Sequence, residues 1–254
     1  MQYMILLRGD ALDTALVAGL EQYFAALGNA GALLAAERLH EGEGATVSLA
    51  RGSATPIVTR GVSSLRAFWS VKVASKQAAI SIARGIPGSA GELDLFEIYA
   101  PEDFPSDPAE VPGGWREQDE QRRAAPPPVA RMPGTTRYLA MIRSDAQSEA
   151  GMLPTERTLT AMQTYIGELS RTNPMLGGAG LKPSSRAVRL RQSGDARNVV
   201  DGPFTESKEM IAGYMILPAA SLEEAIERIQ PWLVIHAAAT PAPESAIEVR
   251  ALIG

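Results

Sequence analysis

The feature that most constrains this chain is an internal repeat. Residues 3–10 and residues 138–145 share Tyr, Arg and Asp at identical spacing. The correspondence then continues in the same order along both halves, in the pairs Tyr23 with Tyr165, Leu39 with Leu181, Gly52 with Gly194, and Ser75 with Ser221. Matches kept in order over such a distance predict a tandem duplication in which each copy is a structural unit.

Each copy has the pattern of strand, helix, strand, strand, helix and strand. In the second copy, apolar residues recur at helical spacing over residues 155–170, and a Ser221-Leu222-Glu223-Glu224 capping box opens a helix that we expect to end at Gln230. This βαββαβ order is that of a ferredoxin-like unit, in which one sheet carries both helices on one face.

The first strand indicates how the two units pack. Tyr3, Ile5 and Leu7 point to one side of the strand and Met4 and Leu6 to the other, so both sheet faces are apolar and both must be covered. Helices cover one face, and the other copy supplies the second cover. We therefore predict an α+β fold in which two ferredoxin-like βαββαβ units form an internal pseudo-dimer of the dimeric α+β barrel type, as a monomer or a weak homo-oligomer.

A proline-rich segment separates the two units. Residues 101–134 combine a high density of proline with acidic clusters, a composition that sustains neither a helix nor a central strand. We expect a linker there, between a first domain at residues 1–100 and a second domain at residues 135–254.

Charge and composition exclude several classes of function. The 24 Lys and Arg against 29 Asp and Glu give a net charge of -5, which disfavours a nucleic-acid partner. Cys is absent and His occurs twice, so thiolate chemistry is excluded and we predict neither a metal nor a cofactor. No apolar run reaches the roughly 18 residues that span a bilayer. We expect a cytoplasmic protein without a membrane partner.

The sharpest local motif is Asp-Gly-Pro-Phe at residues 201–204, followed by Thr-Glu-Ser-Lys-Glu. Asp-Gly-Pro is a turn sequence, because glycine accepts positive φ and proline fixes the next φ. Glu206 and Lys208 follow just beyond this turn. Two interpretations remain open: a solvated hairpin turn, or a rigid turn that presents Asp201 and its neighbours to a cleft.

At this motif, and at residues 176–181 and 212–214, the sequence resembles the YCII-related family, in particular its DGPF branch. The resemblance covers residues 137–253. The first copy looks like a degenerate member, with Arg60 and Gly61 where Asp-Gly would fall. The resemblance implies a dimeric α+β barrel, normally built from two chains.

The functional implications of the resemblance are less specific. Some YCII-like proteins are isomerases or lyases that use a His on the first helix paired with an Asp, but the corresponding positions here fall near the apolar residues Leu20 and Met162. DGPF proteins are often associated with extracytoplasmic-function sigma factors. Our first reading is a small-ligand-binding or accessory protein. The alternatives are an isomerase or lyase of small polar or cyclic compounds, and a regulatory partner of such a transcription factor.

The candidate site residues follow from these readings. An enzyme would use Asp201 or Glu206 as general base, with Lys208 or Arg143 stabilising an enolate-like anion. The predicted ligand-binding set is Arg143, Asp145, Asp201, Glu206, Lys208 and His40. We expect His236 to start a loop. The arginines at 186, 189, 191 and 197 are expected to form a solvated strand face.

Overall fold

A computed structural model gives the fold. It describes residues 1–87, 91–104, 132–172, 175–193, 196–204 and 210–253. Most of the predicted linker, and the candidates Glu206 and Lys208, lie outside the described residues. Among those described, no helix is both long enough and apolar enough to span a membrane.

The first half of the chain contains five strands and two helices in the residues described. In chain order they are β1 (Gln2–Arg8), α1 (Thr14–Asn29), β2 (Leu33–Ala50), β3 (Ile57–Arg60), β4 (Leu65–Lys72), α2 (Lys76–Gly85) and β5 (Glu92–Glu97), followed by a 3-10 turn at Pro101–Asp103.

The second half follows a similar order. Its elements are β6 (Thr136–Arg143), α3 (Ala146–Glu149), α4 (Glu156–Thr172), β7 (Gly177–Gly180), a 3-10 turn at Ser184–Arg186, β8 (Val188–Ser193), β9 (Ala196–Asp201), β10 (Ile211–Ala219), α5 (Leu222–Ala239) and β11 (Glu244–Leu252).

Helix α5 confirms one prediction and corrects another. The side chain of Ser221 accepts a hydrogen bond from the Glu224 amide at 3.2 Å, as its capping box predicts. The helix does not end at Gln230, however, and runs through Pro231 to Ala239. Proline removes one backbone donor, while buried apolar side chains on both sides of Pro231 keep the helix packed on the sheet. His236 therefore lies in the last helical turn and not in a loop.

The strands of the described residues pair antiparallel in the order β7-β10-β6-β11-β2-β4-β1-β5-β8-β9, with β3 on β2. The first part of β2 pairs with β4, and its second part pairs with β11 of the other half. The β8–β9 hairpin likewise pairs with β5 of the first half. Each half therefore extends the sheet of the other.

A short contact between β5 and β7 closes these strands into a ring. Ile98 and Leu181 form an isolated antiparallel bridge. On either side of it the Lys182 amide donates to the Glu97 carbonyl at 2.8 Å, and the Tyr99 amide donates to the Gly180 carbonyl at 3.0 Å. The result is a mixed α/β fold dominated by an antiparallel sheet, with an enclosed inner face.

The core confirms the two faces predicted for β1. Tyr3, Ile5 and Leu7 pack with helices α1 and α2. Met4 and Leu6 point into the ring, in an inner cluster drawn from both halves: Met4, Leu6, Leu39, Leu65, Phe68, Phe96, Ile98, Leu139, Met141, Leu181, Ala187, Ile211, Ile216 and Leu252. A third cluster lies between α4, α5 and the strands of the second half.

Candidate functional site

The DGPF turn, residues 201–204, follows β9 and sits directly on the 3-10 turn Ser184–Arg186. A Cβ at Gly202 would overlap the Ser184 carbonyl oxygen, so this approach requires glycine. The Gly202–Pro203 peptide is cis. The Phe204 amide donates to Ser184 Oγ at 3.3 Å. The motif is therefore fitted to one backbone neighbour and is not an isolated hairpin turn.

Ser184 connects the DGPF turn to the short helix after β6. It is fully buried, and both its amide and its hydroxyl donate to Glu149 Oε2, the amide at 3.0 Å. Glu149 is the last residue of α3. Three segments that are distant in sequence thus meet at one buried hydroxyl.

Asp201 itself points away from this junction. Its side chain is 72% exposed and accepts a hydrogen bond from Lys76 Nζ at 2.9 Å. A general base benefits from an enclosed setting that holds it against its substrate, and the exposed Asp201 lacks that setting. The expectation that the turn presents the Asp201 carboxylate to a cleft is not met by this geometry.

A buried ionic cluster lies behind Phe204. Asp94 is completely buried and accepts from Arg8 Nε at 3.1 Å and from Arg189 at 2.6 and 3.0 Å. The Arg189 guanidinium carbon lies 4.5 Å from the centre of the Phe204 ring, a cation–π distance. Phe204 therefore covers the cluster from the side of the DGPF turn.

This cluster corrects the expectation of a solvated arginine face at Arg189, whereas the side chains of Arg186 and Arg191 are 57% and 49% exposed. Arg189 is 2% exposed, because β8 pairs with β5 and places Arg189 opposite Asp94. The alternation of Val188 and Leu190 with arginines is typical of a strand with one wet face, but this face is buried at Arg189 and exposed only at Arg191. A sequence signal for this site existed in Asp94, a lone carboxylate between Leu93 and Leu95.

Arg143 ends β6 on the inner side of the ring. Leu139 and Met141 of the same strand belong to the inner cluster, and side chains two residues apart share a strand face. Arg143 is half-buried, and its guanidinium group makes no hydrogen bond or ion pair with any residue that the structure describes. Its counterpart in the repeat, Arg8, is neutralised by Asp94.

Aromatic and apolar side chains adjoin Arg143 on the inner face. Ile211 is its partner across the strand pair, and Tyr214 is the partner of Met141. The Tyr214 ring is 5.9 Å from the Phe68 ring, which comes from the first half. Phe204 packs against the same inner cluster. Arg143 and the DGPF turn are thus brought to one apolar region.

Asp145 has a mainly structural setting. It caps α3 in a capping box with Ser148, whose amide donates to Asp145 Oδ1 at 2.8 Å. Burial opposes ionisation of Asp145, but hydrogen bonds from Ser148 and Thr240 lower its pKa below the ordinary value. His236 lies near this carboxylate, with Nδ1 3.3 Å from Ser245 Oγ. Burial lowers the pKa of His236 from its usual 6.5, and the Asp145 charge opposes that shift.

His40, the remaining candidate, is exposed on β2. Its Nδ1 accepts from the Gly42 amide at 3.3 Å, and its carbonyl accepts from Arg250 Nη2 at 2.9 Å. Asp145, Asp201 and His40 therefore occupy separate places. In the described part of the chain, no three His, Cys, Asp or Glu side chains are grouped to hold a metal ion.

A second polar network, which sequence reasoning missed, surrounds the start of the 3-10 turn. Lys182 Nζ donates to Glu97 at 2.9 Å and to Asp103 at 2.8 Å, and Arg186 donates to Glu97 at 3.0 Å. The Tyr3 hydroxyl is buried nearby without a hydrogen-bond partner among the described residues. Burial, followed by the Glu97 charge, raises the pKa of Tyr3 to about 12.

Comparison with known proteins finds a similarity to a domain family in the second half. A protein of Rhizobium meliloti (strain 1021), described only as uncharacterised, is 38% identical over 71 residues. That match covers 28% of this chain and 55% of the relative, so the chain spans about half the length of the curated protein it matches. The model of the YCII-related domain matches residues 136–232, the stretch that contains Arg143, Ser184 and the DGPF turn. Residues 136–232 are therefore similar to the YCII-related domain.

Proposed function

We propose that this chain is a small-ligand-binding or accessory protein that binds a small carboxylate with an apolar or aromatic body at the DGPF end of its inner face. The observation that carries the proposal is Arg143, a half-buried guanidinium to which the described residues supply no counter-charge. The equivalent Arg8 has Asp94 as its partner.

A carboxylate is the group that suits Arg143 best. The planar guanidinium offers two parallel N–H donors that match the two oxygens of a carboxylate. Partial burial reduces the screening of that attraction by water. An anionic ligand would therefore give Arg143 a negative partner, as Asp94 gives one to Arg8.

The neighbouring side chains define the body of the ligand. Met141, Tyr214 and Ile211 adjoin Arg143 along the two strands, and Phe68 and Phe204 belong to the same inner region. Ligand sites are mostly apolar, with a few polar groups that fix orientation. Aromatic rings beside one arginine favour a ring-bearing carboxylate over a fully polar one.

The settings of the carboxylates favour binding over acid–base catalysis. Asp201 is exposed and paired with Lys76, while Asp94 is held by two arginines. Among the described residues, neither of these carboxylates is placed to accept a proton from a molecule bound at Arg143.

We further infer that the two halves arose by duplication and that the second belongs to the DGPF branch. The strand registers correspond, because Leu6 pairs with Asp94 as Met141 pairs with Glu248. The strand exchange is reciprocal: β2 of the first half pairs with β11, and β8 of the second half pairs with β5. Such correspondence supports one ancestral unit used twice.

Benzoate is a suitable probe for the proposed site, because it joins a carboxylate to an aromatic ring. Isothermal titration at constant ionic strength should show saturable binding to the full chain. Arg143→Gln should weaken that binding tenfold or more, which is about 1.4 kcal/mol, while the melting temperature stays nearly unchanged.

Arg84→Gln is the matched control, because it removes the same charge from an exposed position in the last turn of α2. It should bind benzoate like the unmodified protein. Equal affinities in Arg143→Gln and the unmodified chain, or no binding by either, would refute the proposed site. Consumption of the bound compound would instead indicate an enzyme.

A further inference from the structure

Two arginines from opposite halves meet at the start of β4. Arg66 Nη1 donates to the carbonyls of Ser63 and Leu65 at 2.8 and 3.2 Å. Arg250 Nη1, from β11, reaches the same two carbonyls at 3.4 Å each. Because they share two acceptors, the guanidinium groups of Arg66 and Arg250 lie side by side. We call them the arginine pair.

The charge of the arginine pair is only partly balanced. Glu248 Oε1 is 3.3 Å from Arg250 Nη1, and within the described part of the chain Arg66 forms no ion pair. Burial lowers the pKa of Arg250, Glu248 opposes that shift, and the charge of Arg66 adds to it. One carboxylate therefore lies within ion-pair distance of the buried Arg250, beside which Arg66 is partly buried.

Both arginines also hold an unused donor. The Nε atoms of Arg66 and Arg250 are buried and have no hydrogen-bond partner among the described residues. Arg250 as a whole is completely buried. A buried N–H of a charged group is costly to leave without an acceptor. Two such donors on adjacent guanidinium groups are the arrangement that an oxyanion satisfies.

The backbone is adapted to bring the arginine pair together. A Cβ at Gly44 would lie 2.5 Å from Arg250 Cδ and 3.0 Å from its Nε, so glycine lets Arg250 pass. Arg66 is the unmatched residue in a bulge of β4 opposite Leu7 and Arg8. The pairing of β2 with β11 is irregular over residues 40–43, beside Arg250. Bulges commonly redirect side chains next to functional sites.

We propose that the arginine pair is a binding site for a small oxyanion, held by the Nε donors of Arg66 and Arg250. Its residues differ from those of the benzoate site, so each proposal can fail without the other. The occupant is a phosphate or a carboxylate group, because both present oxygens to two neighbouring guanidinium groups.

The test is isothermal titration of the full chain with inorganic phosphate and, separately, with acetate, both at constant ionic strength set with sodium chloride. Saturable binding of at least one anion is expected, and the anion that binds identifies the class. Arg66→Gln should weaken that binding tenfold or more. Arg51→Gln is the control, because Arg51 is exposed and its side chain, among the described residues, makes one hydrogen bond, to the Pro241 carbonyl.

A second variant protects the test against misfolding. Arg66→Lys keeps the charge but removes the Nε donor of the planar guanidinium group, so it should fold and still bind more weakly than the unmodified chain. Circular dichroism and the melting temperature establish that each variant is folded. No saturable binding of either anion, or unchanged affinity in both folded Arg66 variants, would overturn the proposal.

Discussion

The chain crosses from one sheet to the other twice, and the two crossings differ. In the first half, β2 runs without a break from Leu33 to Ala50, and passes from β4 to β11. In the second half the equivalent path is split into β7 and β8 by a segment that holds Lys182, Pro183 and a 3-10 turn. The same topology is thus built once with a continuous strand and once with an interrupted one.

The interrupted crossing collects polar contacts to the DGPF turn, to α3 and to the end of β5. Ser184 in the 3-10 turn donates a hydrogen bond to Glu149 and accepts one from the Phe204 amide. Lys182 donates hydrogen bonds to Glu97 and Asp103. A continuous strand uses its amides in the sheet, whereas a broken one leaves amides and side chains for other contacts. The loss of regular strand pairing at the interrupted crossing therefore leaves backbone and side-chain groups available for the contacts around the DGPF turn.

The largest expected difference between the halves concerns their buried carboxylates. Asp94→Asn should cost about 3–5 kcal/mol of unfolding free energy, because it removes a buried charge that both Arg8 and Arg189 contact. Glu248, the counterpart of Asp94, makes one 3.3 Å contact with Arg250 and keeps some exposure. Glu248→Gln should cost about 1 kcal/mol. Urea unfolding of both variants measures this, and equal losses would mean that the two positions are equivalent.

The next effect concerns two glycines: Gly202, which contacts Ser184 on the interrupted crossing, and Gly42 on the continuous crossing. Gly202→Ala should cost about 3 kcal/mol, because the new Cβ would meet the Ser184 carbonyl and both backbones would have to move. Gly42 lies on the continuous crossing with nothing within 4 Å of a Cβ. Gly42→Ala should change stability by less than about 0.5 kcal/mol. Comparing the thermal unfolding of the two variants tests whether the DGPF turn depends on the close approach of Gly202 to Ser184.

A smaller effect depends on pH and belongs to the second half alone. Burial holds the pKa of His236 below 6.5 in the folded chain, so the unfolded chain takes up a proton first as pH falls. Stability should therefore decline as pH drops below about 6.5. His236→Gln should reduce that decline between pH 7 and 5. The pKa of Asp145 is lowered from 3.8, so the loss of its contribution belongs to lower pH and does not overlap this window.

The smallest effect concerns the ends of the two hairpins. Asp201 pairs with Lys76 on α2, and Arg60, at the corresponding place on β3, pairs with Glu223 on α5 with the charges reversed. Asp201→Asn should cost less than about 1 kcal/mol, because exposed ion pairs contribute little. Its affinity for benzoate should be unchanged. A tenfold loss of benzoate affinity in Asp201→Asn would instead show that Asp201 belongs to the binding site.

Much of the fold was predictable because it depends on local periodicity. The alternation over Tyr3 to Leu7 indicated two buried faces, and Ser221 indicated the start of α5. The site was less predictable because its contacts are distant in sequence. Arg189 pairs with Asp94 across β5 and β8, and no pattern around Arg189 shows that partner. The partner of Asp201, Lys76, likewise comes from α2, which belongs to the other half.

The ring of strands also determines how the chain unfolds. Strand β11 is bordered by β2 of the first half, and β5 is bordered by β8 of the second. Unfolding of either half alone would break the strand pairs that it forms with the other half. We therefore expect that neither half stays folded when the other unfolds. We expect both halves to unfold in one cooperative transition, with amide hydrogen exchange in β1 and β6 limited by the same global opening.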